Sequence, residues 1–167
     1  GWVNCGTYRV MVHDEKTLSF YSSPGKHANM MRQKHWDRGE ECPVVMCFGE
    51  EPFLCGASTM PLPWGMGEFE FTGYMRGKPV DVIKGPITGL PIPATAEIVI
   101  EGFSPPPSVD SRKEGPFGEW TGYYGSGVRT EPVVHVKAIY HRNDPIIYGR
   151  PPLKADDTFY SIPIHSA

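Results

Sequence analysis

Pro132-Val-Val-His-Val-Lys-Ala-Ile-Tyr-His141 is the longest strand-like run in the 167-residue chain, and its reading decides the fold. β-Branched and aromatic residues dominate it, and Val134, Val136, Ala138 and Tyr140 share one face at a period of two. Shorter runs of the same character surround it. Tyr8 to Val12 and Thr17 to Tyr21 predict a hairpin, joined by the polar Asp14-Glu15-Lys16. Pro43 to Phe48 is almost continuously apolar, which predicts a strand buried on both faces. Pro79 to Lys84 and Ala96 to Phe103 complete the set, with Ile98 and Ile100 alternating with Glu97, Val99 and Glu101.

Helical signals are fewer. Lys26 to Arg38 places Ala28, Met31, His35 and Arg38 on one face, and Gly39 can end the helix. Glu50 to Ala57 opens with acids, which suits the positive end of a short helix, and Glu68 to Arg76 is also helical in pattern. Ser104 to Arg112, with Pro105-Pro106-Pro107, predicts an exposed loop. No internal repeat is present. Strands outnumber helices and connections are short, so the class is α+β, mainly β, built as an antiparallel or mixed barrel with a few helices.

A chain of 167 residues is long enough to bury one core. Its net charge of -3 gives no basic footprint and argues against a nucleic-acid partner. Cys5, Cys42, Cys47 and Cys55 show no C-x-x-C pair, so they are expected as reduced thiols of a cytoplasmic protein. No apolar run approaches a membrane span and no leader opens the chain. Gly1 to Gly6 enters strand-like sequence at once, as though something preceded it, and the pattern fades after Tyr148. The expected division is a domain over 1–148 and an irregular tail over 149–167, leading toward a further C-terminal domain.

Candidate chemistry begins with Glu114-Gly-Pro-Phe-Gly-Glu119, followed by Trp120 and Tyr123-Tyr124. Pro116 bars a continuous helix, and the glycines permit turns that other residues resist. Two carboxylates in unequal surroundings can supply one charged group and one proton donor. A Gly/Pro-rich turn carrying solvated acids satisfies the same residue types. Arg9, in a strand, needs a carboxylate or phosphate if it is buried, and nothing special if it faces water. Asn4, His27 and Glu68 form an oxygen–nitrogen–oxygen set suited to a hard divalent ion, although spacing alone does not bring them together. His13, His35, His135, His141 and His165 lack ligand spacing. Trp2, Trp64, Trp120 and the Tyr123-Tyr124 pair are either an aromatic pocket or core. No dinucleotide fingerprint, P-loop or nucleophile elbow occurs.

Taken in order, several segments resemble the UbiD family of decarboxylases. They are Trp2-Val-Asn4-Cys-Gly-Thr-Tyr-Arg9, Gly25-Lys-His27, Ala57-Ser-Thr-Met-Pro-Leu-Pro63, Glu68, Tyr74 to Lys84, Ile92 to Gly102, Glu114 to Glu119, Val134-His-Val136 and His141-Arg-Asn-Asp-Pro145. The resemblance implies a split β-barrel flavin-binding domain with flanking helices. It also implies a reversible carboxy-lyase that uses prenylated FMN on aromatic or α,β-unsaturated acids, with CO2 as co-product. Arg9, Glu114 and Glu119 match the catalytic network, with Glu119 as the acid that returns a proton to carbon and Glu114 held against Arg9. Arg9, Lys26, Ser58, Met60 and Pro61 are the implied cofactor contacts. Asn4, His27 and Glu68 match the ligands of Mn2+ (or Mg2+). Trp2, Ala57, Ser58, Met60 and Glu68 match a K+ site.

The physical logic is consistent with that resemblance. Loss of CO2 leaves an electron pair on carbon, and no protein side chain is a good sink for it. Burial should raise the Glu119 pKa, while Glu114 stays ionised beside Arg9. The resemblance further implies a homo-oligomeric parent and a flavin prenyltransferase that supplies the cofactor, and charge and hydropathy lead us to expect neither a membrane nor a nucleic-acid partner. Family members are longer, and near Lys84 to Leu90 many carry a cysteine and an Asn-Asp pair that are absent here. Two rival expectations remain, a flavin- or metal-binding module without turnover and an inert excised core.

Overall fold

The computed structural model describes residues 2–118 and 122–149, and the expected tail therefore lies outside them from residue 150 onward. The elements are β1 Arg9–Asp14, β2 Thr17–Tyr21, α1 His27–Trp36, β3 Cys42–Phe48, α2 Pro52–Ala57, α3 Glu68–Arg76, β4 Val82–Lys84, β5 Pro91–Pro93, β6 Ile98–Ser104, β7 Ser111–Glu114 and β8 Arg129–His141. The main sheet runs β1-β2-β8-β6-β3, with every neighbouring pair antiparallel. β7 pairs with the first residues of β8, from Ser111 opposite Pro132 to Glu114 opposite Arg129. β4 and β5 form a separate two-stranded sheet. The molecule is mainly β, with three helices among the described residues. Among the described residues no helix is long and apolar enough to cross a membrane.

β8 holds the sheet together because β2, β6 and β7 all pair with it. Its Val134 packs with Leu18, Phe20 and Met46 in a buried cluster, against which Tyr8, Val10, Ala28, Val44, Ile100 and Val136 close. Burial of each such side chain stabilises by about 1.5–3 kcal/mol. Strand alternation does the rest. Leu18 and Phe20 enter this core, so Ser19 and Tyr21 of the same strand point to the opposite face, where the candidate site lies. A register shift at Glu101/Gly102 interrupts β6 against β8, and the bulge needs glycine because a side chain on Gly102 would strike the His135 carbonyl.

Several expectations require correction. β3 is an edge strand with only Cys42 and Met46 buried, because an apolar run does not distinguish an edge from a sheet centre. The inward face of α1 carries Arg32 rather than Met31 and His35. The Arg32 guanidinium lies over the Phe20 and Trp36 rings, at 4.9 and 4.8 Å, and donates to the Phe20 carbonyl at 2.9 Å. Pro79 to Lys84 shrinks to the three-residue β4. Ser104 to Arg112 is not an exposed loop throughout, since Ser104 and Pro105 are buried and Ser111 begins β7. Its partner strand β8 accordingly starts three residues earlier than expected, at Arg129.

Candidate functional site

Cross-strand pairing sets Arg9 opposite Tyr21 on the face of the β1–β2 hairpin away from the core. The guanidinium carbon sits 4.4 Å from the Tyr21 ring centre and 4.8 Å from that of Phe117. Arg9 Nε donates to Glu114 Oε1 at 2.5 Å, and Ser19 Oγ donates to Glu114 Oε2 at 2.7 Å. Glu114 is only 2% exposed, so a cation and a hydroxyl satisfy a carboxylate that water cannot reach. Gly115, at φ +78°, turns the chain immediately after it and brings Phe117 over the guanidinium. A third acid, Glu131, is also buried nearby. Desolvation first, and the neighbouring Glu114 second, push its carboxyl above the usual range.

Arg9 also lines a cavity of about 500 Å³, shared with Asn4, Tyr21, Lys26, His27 and Glu68. Ser58, Met60 and Pro61 form another part of its wall. That volume suits a cofactor-sized ligand. At one corner Asn4 Nδ2 donates to Glu68 Oε1 at 3.1 Å, and the Cys5 amide donates to Glu68 Oε2 at 2.9 Å. Tyr8 hydroxyl in turn donates to Asn4 Oδ1 at 2.7 Å. Glu68 opens α3 and His27 opens α1, so both groups are delivered by the first residue of a helix. Desolvation is the main cause that raises the Tyr8 pKa.

The structure thus brings Asn4, His27 and Glu68 to one cavity with Arg9, which the spacing of these residues could not establish. The oxygens of Glu68 and Asn4 are held by proton donors, and these are the acceptor positions for which a hard cation competes. Among the described residues no group of three or more His, Cys, Asp or Glu converges on a metal-sized space; this corner offers an amide as its third member. Of the further expected ion ligands, Ser58 and Met60 are in the wall, Ala57 is buried beside them, and Trp2 packs edge-on against His27. The Thr7 amide donates to the Ser58 carbonyl at 3.2 Å, which ties this segment to the start of β1.

Glu119, Trp120 and His165 lie outside the described residues. The aromatic pocket forms only in part. Trp2 and Trp64 meet at 4.6 Å between ring centres, whereas Tyr123 and Tyr124 are exposed. His13, His35, His135 and His141 do not line the cavity. Sequence reasoning missed Ser19, Tyr21, Tyr8 and Phe117. Strand alternation from Leu18 and Phe20 could have found the first two, and nothing local marked the others.

Residues 1–154 match the family model for the UbiD 3-octaprenyl-4-hydroxybenzoate carboxy-lyase Rift-related domain. A phenolic acid decarboxylase of Streptomyces sp. is 36% identical over 149 residues, covering 87% of this chain and 30% of that protein. The pyrrole-2-carboxylic acid decarboxylase of Pseudomonas aeruginosa is 35% identical over 156 residues, covering 90% of this chain and 31% of its own. Among solved structures, an evolved dimeric form of the UbiD-class enzyme HmfF from Pelotomaculum thermopropionicum, in complex with prFMN, superposes with a TM-score of 0.81 at 31% identity. That match covers 88% of this chain and 33% of the other. The chain therefore spans about a third of the length of the relatives it matches. With nearly its whole length matched by the family model and its fold shared with a UbiD-class enzyme, the chain belongs to the UbiD family.

Proposed function

We propose that this chain is the flavin- and metal-binding core of a reversible, non-oxidative decarboxylase for an aromatic or α,β-unsaturated carboxylic acid. The observation that carries this reading is the single cavity onto which Arg9, Lys26, Asn4, His27 and Glu68 converge, with Arg9 anchored from behind by buried Glu114. The donor chemistry fits the implied groups. Two cations suit a phosphate, and an amide, an imidazole and a carboxylate suit Mn2+ or Mg2+. Carbonyl oxygens around Ala57, Ser58 and Met60, with Trp2 and Glu68, suit K+. The sheet, on this reading, belongs to a split barrel that closes around the flavin.

Prenylated FMN, when bound, supplies the electron sink that decarboxylation requires. The chain's own residues do the remaining work. Glu114, itself held by Ser19, fixes Arg9 at the cavity edge, and the Tyr21 and Phe117 rings lie against its guanidinium, so its charge is oriented before substrate arrives. Ser58, Met60 and Pro61 form one side of the cavity wall. As the carboxylate leaves as CO2, the pair of the broken C–C bond stays with the substrate carbon that carried it, and Glu119 delivers a proton to that substrate carbon. The parent protein is proposed to be a cytoplasmic homo-oligomer supplied by a flavin prenyltransferase.

The test is CO2 release from a panel of aromatic and unsaturated acids by the intact protein loaded with prenylated FMN and Mn2+. Wild type should turn over at least one acid, and Glu119→Gln should lose turnover while keeping the flavin absorbance. Full activity in Glu119→Gln removes the assigned acid. Retained flavin with no turnover in wild type leaves a binding module instead.

A further inference from the structure

A histidine that ligates a metal is ordinarily oriented by a hydrogen bond from its other ring nitrogen to a carboxylate, a carbonyl or water. Among the described residues, no carboxylate or carbonyl is hydrogen-bonded to the His27 ring. Rings hold it instead. Trp2 meets His27 at 4.9 Å between centroids with planes at 68°, and Trp64 meets it at 5.1 Å with planes at 81°. Trp2 and Trp64 themselves pack at 4.6 Å and 77°, so three rings touch pairwise in edge-to-face geometry.

The two tryptophans differ in their surroundings. Trp2 is half-buried, and its indole nitrogen is sealed from solvent. Trp64 is 58% exposed, yet its ring still packs on both His27 and Trp2. It belongs to the segment 58–67 between α2 and α3, the same segment that gives Ser58, Met60 and Pro61 to the cavity. Lys34, two turns along α1 from His27, lies 5.6 Å from the Trp64 ring centre, a further contact that steadies the ring.

We infer that Trp64 is a positioning residue for the metal site: its ring clamps the His27 imidazole against Trp2 and couples the 58–67 segment to that ligand. The inference rests on the reading of Asn4, His27 and Glu68 as the ligands of a divalent ion, and goes beyond it by adding a residue outside the cavity wall. The clamp restricts rotation of His27, so its loss should weaken ion binding without unfolding the protein, because the truncated side chain faces mostly water.

The experiment is a Mn2+ titration of the intact protein without flavin, in which the electron paramagnetic resonance signal of free Mn2+ reports the unbound ion. Trp64→Ala should weaken Mn2+ binding about tenfold, and Trp64→Phe, which restores a ring, should return it to within about threefold of wild type. Melting temperatures of all three metal-free proteins should coincide. Equal Mn2+ affinity in wild type and Trp64→Ala overturns this inference and leaves the ligand assignment standing. Wild-type protein that takes up no Mn2+ overturns the ligand assignment and the inference with it. Failure of Trp64→Phe to recover affinity also overturns it, since ring packing would then not be the cause.

Discussion

Glu101 and Glu114 are both buried carboxylates, 0% and 2% exposed, yet they are satisfied in opposite ways. Glu101 accepts from the Thr88 amide at 2.9 Å, the Thr88 hydroxyl at 2.6 Å, the Ile87 amide at 3.3 Å and the Tyr140 hydroxyl at 3.0 Å. Among the described residues no cation pairs with it, and Gly85 leaves it room, since a side chain there would run into the carboxylate. It pins the turn between β4 and β5 to the sheet. Glu114 instead has a cation, and that cation borders a cavity. A carboxylate closed off by neutral donors fastens structure, whereas one that spends its charge on an arginine at a cavity edge transmits its position to whatever binds there.

The sharpest way to break this comparison is to remove the cation. Arg9→Ala leaves Glu114 buried without its partner and should cost about 3–5 kcal/mol of stability, measured by denaturant unfolding of the intact protein, together with loss of flavin binding. Glu101→Gln should cost less, about 1.5–3 kcal/mol, as charged-group hydrogen bonds are weakened. Unlike Arg9→Ala, it should leave Mn2+ and flavin affinity unchanged. Comparable flavin loss in the two variants would erase the distinction drawn between the two acids.

A smaller effect lies in pH. At Glu101 desolvation pushes the pKa up, but the bonds from Thr88, Tyr140 and Ile87 together outweigh it and the net shift is downward. Its contribution to stability is therefore full above the ordinary glutamate range and lost as pH falls through its depressed folded value. Glu131 has the opposite sign. Desolvation, then Glu114, raise its pKa, so its contribution is full below the ordinary range and lost as pH rises through the elevated folded value. Glu131→Gln should thus raise stability at neutral pH and flatten the decline that begins at the ordinary glutamate range and ends at the elevated folded value. Glu101→Gln should flatten the loss below that range. Unfolding free energies across pH test both, and a shift of the same sign for the two variants contradicts the assignment.

How much of this was legible follows from which signals are local. β2 matched its expected bounds, Thr17–Tyr21, because a polar turn and strand-forming residues frame it. α3 matched as Glu68–Arg76, with Gly77 in the left-handed conformation that ends it. The inward face of α1 was misread because hydrophobicity does not foresee a buried arginine stacked on Phe20 and Trp36. In the site, Asn4 and Glu68 are 64 positions apart and Arg9 and Glu114 are 105 apart, distances over which spacing carries no information. Those partners were reached through resemblance, and only the fold shows that Asn4 and Glu68 share a cavity with Arg9 while Glu114 holds Arg9 from behind. Ser19 and Tyr21 escaped notice because neither residue type is unusual in a strand.

The smallest expected effect concerns the thiols. Burial first, then Glu68, holds the Cys5 pKa up at about 12, and burial lifts Cys42 to about 11 and Cys47 further still. Cys55 is exposed. Brief alkylation of the native protein at pH 8, read peptide by peptide in a mass spectrometer, should label Cys55 and spare the other three. Fast labelling of Cys5 would mean that the Glu68 corner is open to solvent.

The most direct trial of the central claim is a crystal structure of the intact protein grown with FMN and Mn2+. The account predicts one metal ion bound by Asn4, His27 and Glu68, contacting the flavin phosphate, with the ring system in the cavity beside Arg9. A flavin bound elsewhere, or a metal ion held by other residues, would contradict it.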